Sequence, residues 1–315
     1  AASGEADEAV AAGRAAVASA DHTRAIAQFE RAIRLDPSRS DAYYSLGLLY
    51  RERERWRAAL DAFRHAVASP SAPAEAYCQL GELLTEALAK PDEALDHLRM
   101  ATRVDPNYAR SHLLLGVALL RTGDALGARA SLAEAVRLAP TNAHAAFQLA
   151  VADVRLGSLD DARKGFEHAI EIDALHAKSY LGLGNCLMRL GSAEEGQQAL
   201  DTFRLLSVQV EQITRLERLT AADASSSATW AELGGVRLAR GEWGLAAVAF
   251  ENAGAWSHAD GTDAAAAVGY GERLGYAYFR LARYHDAAAV FAVVVELAPD
   301  VAAYRNSLAG AYLMS

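Results

Sequence analysis

The sequence predicts an all-α chain of short helical hairpins stacked into an α-solenoid, and three observations predict it. A small residue returns at Gly13, Gly47, Gly81, Gly116, Ala150, Gly184, Gly234, Gly275 and Ala309, in steps of 34, 34, 35, 34, 34, 50, 41 and 34. A second small residue follows at Ala25, Ala59, Ala94, Ala128, Ala162, Gly196, Ala246 and Ala287. Four positions further on stands a large apolar one: Phe29, Phe63, Leu98, Leu132, Phe166, Leu200, Phe250 and Phe291. A fixed period of this length marks a repeat array, because a single unit cannot bury its apolar face alone.

Each unit reads as helix A, a turn and helix B. The small residues let the two helices approach closely, while the aromatic is expected to fill the gap between successive units. Gly123, Gly157, Gly191 and Gly241 stand where helix A must end, and a left-handed terminal residue there favours glycine. Pro37, Pro106, Pro140 and Pro299 follow helix B, which proline cannot extend. The units fall at 6–39, 40–73, 74–108, 109–142, 143–176, 177–226, 227–267 and 268–301. A last helix from Val301 carries Tyr304, Leu308, Ala309 and Tyr312 at helix-A spacing, either as a capping helix or as a repeat cut short.

The aromatic, leucine-glycine, tyrosine, alanine, phenylalanine, alanine and proline positions come in the order of a known family. Ser45-Leu46-Gly47-Leu48-Leu49-Tyr50, answered by Gln79-Leu80-Gly81-Glu82-Leu83-Leu84, is one quotation of it. The chain thereby resembles the tetratricopeptide repeat over nearly its whole length. That resemblance implies a right-handed superhelix of about eight hairpins, a concave wall lined by helix A, and an interaction scaffold with no catalytic residues.

Two steps are irregular. The step of 50 leaves about 16 extra residues in the sixth unit, where Leu206, Val210, Ile213, Leu216 and Leu219 fall three or four apart, predicting an extended helix B over 204–220. Ala221-Ala222-Asp223-Ala224-Ser225-Ser226-Ser227 then breaks it. Two subarrays are expected on this basis, 1–220 with six repeats and 221–315 with two repeats and the capping helix. The extended helix serves either as a joint packed on the seventh unit or as an arm offered to a partner. The step of 41 places about seven extra residues around Ala259-Asp260-Gly261-Thr262-Asp263, which read as a surface loop.

With 31 basic and 40 acidic side chains the net charge is −9, against a nucleic-acid partner held by phosphate contacts. No run approaches the roughly 18 apolar residues of a membrane span. Cys78 and Cys186 are too few and too far apart for a disulfide scaffold or a zinc ribbon. The first residue is Ala1 rather than Met, which points to a trimmed chain or a removed leader, so periplasmic and organellar locations stay open beside the cytoplasm.

No nucleophile elbow, zinc-binding helix or phosphate loop is present. Gly269-Tyr270-Gly271-Glu272-Arg273-Leu274-Gly275 looks like a dinucleotide loop, but no strand pattern precedes it and Gly275 is the repeat glycine. The histidines are scattered, and Asp160-Asp161 and Glu194-Glu195 fall in first turns of helix B, where carboxylates suit the positive helix end. No cofactor, metal or catalytic residue is expected.

Function is therefore sought on the helix-A wall. By resemblance its inward positions are the second, fifth, ninth, twelfth and thirteenth of each unit. These are Arg110, Leu113, Val117, Leu120 and Arg121 in the fourth, His144, Phe147, Val151, Val154 and Arg155 in the fifth, and Lys178, Leu181, Asn185, Met188 and Arg189 in the sixth. The family's carboxylate clamp would need Lys at a fifth place, where Leu181 stands beside Asn185, and its asparagine ladder is also missing. The reading is a peptide-binding scaffold for an extended or amphipathic helical protein segment. The alternative is an assembly subunit of a secretion, pilus or organellar complex, using its convex face and the 204–220 helix. Monomer and oligomer both fit. Arg121, Arg155 and Arg189, with Arg280 equivalent, form a one-per-repeat ladder that either caps helix ends or grips carboxylates of a bound segment, the latter requiring guanidiniums free of internal acidic partners.

Overall fold

A computed structural model describes residues 2–70, 72–257 and 263–315. It is helical throughout the described residues. The hairpins are α1 (Ala2–Ala18) with α2 (His22–Leu35), α3 (Ser40–Glu52) with α4 (Trp56–Val67), and α5 (Ala74–Glu82) with α6 (Pro91–Val104). Then come α7 (Ala109–Thr122) with α8 (Ala125–Leu138), α9 (Ala143–Leu156) with α10 (Leu159–Ile172), and α11 (Ala177–Leu190) with α12 (Ala193–Ala222). Last are α13 (Ser227–Ala239) with α14 (Trp243–Trp256), α15 (Ala264–Arg280) with α16 (Tyr284–Leu297), and α17 (Ala302–Met314). The expected loop at 259–262 lies outside the described residues.

The repeat residues build the core as their sizes require. A Cβ on Gly47 would meet the Phe63 ring at 2.4 Å, and one on Gly116 would meet Leu132 at 2.4 Å, so helix B inserts its large residue where helix A has no side chain. Ala59, Ala94, Ala128, Ala162, Ala246 and Ala287 are all fully buried at the same seam. Gly123, Gly157, Gly191 and Gly241 take positive φ at the ends of their A helices. In other hairpins that place falls to Ala20, Glu54 and Ala282, each left-handed near φ 56 or 57 despite a side chain.

Two features were not foreseen. The single step of 35 is absorbed by a π-helical turn, Leu83–Ala87, that continues α5. Asp36, Asp105, Asp173 and Asp223 each follow a B helix and accept a backbone N–H two residues on, a recurring turn that aims the next A helix. The chain also divides into two compact units, Ala1–Leu200 and Asp201–Ser315, so the division falls inside α12 rather than after its end near residue 220.

In the second unit α12 runs to Ala222, and the extension packs on the seventh hairpin. Leu216 is fully buried with Leu233 and Ala249, and Ile213 packs against them. Arg215 pairs with Glu232 at 3.1 Å and Arg237 with Glu217 at 2.6 Å. Leu205, Val208, Val210 and Leu219 stay exposed, so the apolar stripe is only partly covered.

Candidate functional site

In the first unit α7, α9 and α11 lie side by side as A helices, and their shared face carries two adjoining clefts. The larger, about 700 Å³, is lined by Arg110, Leu113, Val117, Leu120, Arg121, His144, Val151, Arg155 and Lys178, with Glu82 and Glu86 of the third hairpin on its far side. The smaller, about 450 Å³, is lined by Phe147, Val151, Val154, Phe166, Leu181, Gly182, Cys186 and Asn185, with Arg155, Lys178 and Arg189 around it. Helix periodicity brings these together, since places five, nine and twelve of one helix share a face.

Met188 is the exception among the groove residues read from sequence. It lines neither cleft, and its thioether leans over Gly196, coming within 3.0 Å of where a Cβ would stand. The other seven hairpins carry alanine at that place, and its loss here opens the room Met188 takes.

The arginine ladder is not uniform. Arg121 donates to the Thr85 carbonyl at 2.9 Å and pairs with Glu86 at 2.6 Å, so it has the internal acidic partner that the gripping account forbids. Arg155 donates to the Leu120 carbonyl. Both acceptors belong to the end of the preceding A helix, whose last carbonyls have no partner within the helix. The two arginines thus cap the neighbouring hairpin's helix. Arg189 makes no ion pair among the described residues. Arg280 stacks over Trp243 at 4.1 Å instead.

Charge is distributed unevenly along the clefts. Glu82 accepts from Arg51 at 3.0 Å and from Arg110 at 2.8 Å, which neutralises the third-hairpin end. Toward α11, Arg155, Lys178 and Arg189 face no carboxylate among the described residues. Between these ends lies an aromatic cluster: the His176 ring meets Phe147 edge-on at 5.1 Å, and His144 lies 6.3 Å from Phe147. Surrounding protein desolvates both imidazoles and, with Lys178 nearby, holds them below the usual histidine range. His176 is half-buried and lies 2.7 Å from the buried Ser179 hydroxyl, whereas His144 keeps an edge in water.

Among the described residues no three His, Cys, Asp or Glu side chains converge on a metal site. Cys186 is buried and burial raises its thiol; Cys78, also buried, is pushed up to about 12. No helix of the described residues is long and apolar enough to cross a membrane.

Comparisons with known proteins fit the repeat reading. One tetratricopeptide repeat family model matches residues 10–73, 86–143 and 147–203, and a second matches 272–300. No curated protein matches the sequence. Among solved structures the chain is similar to pilF of Pseudomonas aeruginosa, at 20% identity and TM-score 0.54 over 64% of this chain and 91% of that one. It is also similar to PilW, described as a widely conserved type IV pilus biogenesis factor, at 23% identity and TM-score 0.52 over 62% and 90%. At such identities the likeness is one of fold.

Proposed function

The chain belongs to the tetratricopeptide repeat family, a fold of interaction scaffolds, and on that premise we propose that it binds a protein segment, extended or amphipathic helical, on the α7–α9–α11 face. One observation supports this reading: two contiguous clefts whose apolar lining, such as Leu113, Phe147 and Val151, is packed on the core on one side and open on the other, with cations along the α11 edge. Burying apolar surface yields about 25 cal/mol per Å², so a few anchors such as Phe147, Val151 and Leu181 suffice for useful affinity. The protein acts as a non-catalytic adaptor. A photo-crosslinking amino acid placed at Leu181 in the native cell should capture a partner that the same group at outward-facing Leu126 does not. Capture only from Leu126 would sink the groove reading.

A specific observation favours a second reading, an assembly subunit held by its outer surface. Leu245 and Val248 on α14, and Val293 and Leu297 on α16, are exposed on B helices of the second unit. Crosslinking from Val293 without crosslinking from Leu181 would select it.

A further inference from the structure

The smaller cleft owes its shape to one residue. At the sixth place of their A helices the hairpins carry Ser45, Gln79, Leu114, Gln148 and Glu232, whereas α11 carries Gly182. A Cβ on Gly182 would lie 2.5 Å from two carbons of the Phe166 ring. In the other hairpins the residue equivalent to Phe166 sits over the glycine of its own A helix, as Phe63 sits over Gly47 and Phe291 over Gly275. Phe166 has Ala150 there instead, so its ring has moved toward the next hairpin and fills the place of the side chain Gly182 lacks. No side chain of α11 roofs the opening at that point. Phe147, Val151, Val154 and Leu181 wall an apolar hollow of about 450 Å³, within the range that accepts a small organic group.

The edge of this hollow is cationic and uncompensated. Arg155, Lys178 and Arg189 surround it without a carboxylate, whereas Arg110 and Arg121 at the other end are already matched by Glu82 and Glu86. An exposed ion pair is worth little alone, but a carboxylate held at an apolar mouth by guanidinium is charge-assisted and directional.

Resting on the groove reading above, we propose that the Gly182 hollow selects the bound segment: it takes one bulky apolar side chain, Phe, Leu or Met, from a protein segment whose neighbouring residues are acidic, with the acidic flank lying toward α11. The polarity of the edge fixes orientation, because the third-hairpin end offers no unmatched cation.

The test selects short random peptides displayed on phage against the whole chain and measures synthetic copies of the winners by fluorescence anisotropy. The expected winners carry one bulky apolar residue flanked by Asp or Glu. Lys178→Glu combined with Arg189→Glu weakens them about tenfold or more, and added salt shrinks that loss. Gly182→Ala forces Phe166 toward the hollow and weakens the same peptide about tenfold, while a peptide with Ala at the apolar place loses little between the two proteins. If Gly182→Ala does not fold, Leu181→Glu at the partly exposed wall replaces it with the same expectation. Winners that are basic or lack a bulky apolar residue overturn the proposal, as does unchanged binding in both variants. Winners abolished by Leu113→Glu yet indifferent to the Gly182 and cation variants overturn it while leaving the groove reading intact. A selection with no groove-dependent peptide overturns both. Displacement by decanoate as strong as by the peptide itself overturns the commitment to a protein segment.

Discussion

The two units share a skeleton and differ in what their B helices show to water. In the first unit α4, α6 and α8 carry Arg64, Glu93, Asp96, Arg99, Glu134 and Arg137 outward, several of them paired within 2.6 to 3.6 Å, and Met100, Val104 and Leu126 are exposed among them. In the second, α14 and α16 put Leu245, Val248, Ala289, Val293 and Leu297 at the same surface. The buried seam is nevertheless equivalent, with Ala128 beside Leu132 in one and Ala246 beside Phe250 in the other. A repeat thus constrains only the small and large residues that close its hairpin. The outer positions answer to whatever lies beyond them, water in the first unit and, on the second reading of function, another protein in the second.

The seam equivalence breaks most plainly by overpacking. Ala128→Trp and Ala246→Trp should each cost about 3 kcal/mol, and nearly equally, since both methyls are fully buried. Thermal melting of the two variants checks this, and a large inequality would mean that the seams differ after all. Next comes a device confined to the first unit: Arg129 donates to Asp153, only 4% exposed, at 2.6 Å. Arg129→Leu strands that carboxylate and should cost about 2 kcal/mol, less than for a fully buried pair because Arg129 is itself half in water. Chemical denaturation reads the loss, and an unchanged midpoint would show the bridge to be ornamental.

The hairpin turns allow a finer comparison. At Gly157, φ is +80 and no atom lies within 4 Å of where a Cβ would stand, so Gly157→Leu should cost about 1 kcal/mol from backbone strain alone. Ala282→Gly in the second unit should gain up to about 1 kcal/mol for the same reason, because φ there is already 57. A melting shift of the same sign in both would refute the shared turn geometry.

Acidity gives a smaller effect, tied to the aromatic cluster of the first unit. His176 and His144 titrate below about 6.5 when folded, so the unfolded chain binds more protons in the window just under that value. Their neutral form contributes stability that is full above about pH 6.5 and declines as pH falls through the folded values. Melting temperature measured from about pH 7 down to about pH 5.5 should fall, and His176→Gln should flatten that slope. Smallest of all, Val293→Lys with Leu297→Lys should leave melting within about 0.5 kcal/mol of the parent, because neither side chain is buried. Melting lowered well beyond that would show the outer face of α16 to be part of the core.

The fold was legible because its cause is a size pattern. The left-handed Gly157 and Gly191 follow from spacing, whereas the seat of the large residue does not: Phe63 lies over Gly47 and Leu132 over Gly116 of the same hairpin rather than between successive hairpins. Of the residues read onto the helix-A wall all but Met188 line the two clefts, and Met188 would have been placed had Gly196 been weighed as missing volume. What spacing does not encode is contact between units. The bonds from Arg121 and Arg155 to carbonyls of the preceding hairpin, and the pairing of Glu82 with Arg51 and Arg110, cross residues about 30 apart in sequence and depend on the angle between neighbouring hairpins. Spacing left the α12 stripe open between joint and arm; Leu216 and Ile213 pack on the seventh hairpin, and which of its other residues stay in water depends on the position of α13.

The π turn at Leu83–Ala87 bears on how such arrays change length. One surplus residue in a strictly periodic chain would rotate every following side chain by about 100° if the helix simply continued. Here the surplus is taken up within one turn, and Leu115, Gly116 and Leu132 resume the phase that Leu46, Gly47 and Phe63 set. Thr85 stands four residues after Gly81, as Leu120 stands four after Gly116, and its carbonyl takes Arg121 of the next hairpin as that of Leu120 takes Arg155. The insertion thus leaves the inter-hairpin bond where an uninterrupted repeat has it, so the array absorbs a single-residue slip within one turn without losing the contact to the next hairpin.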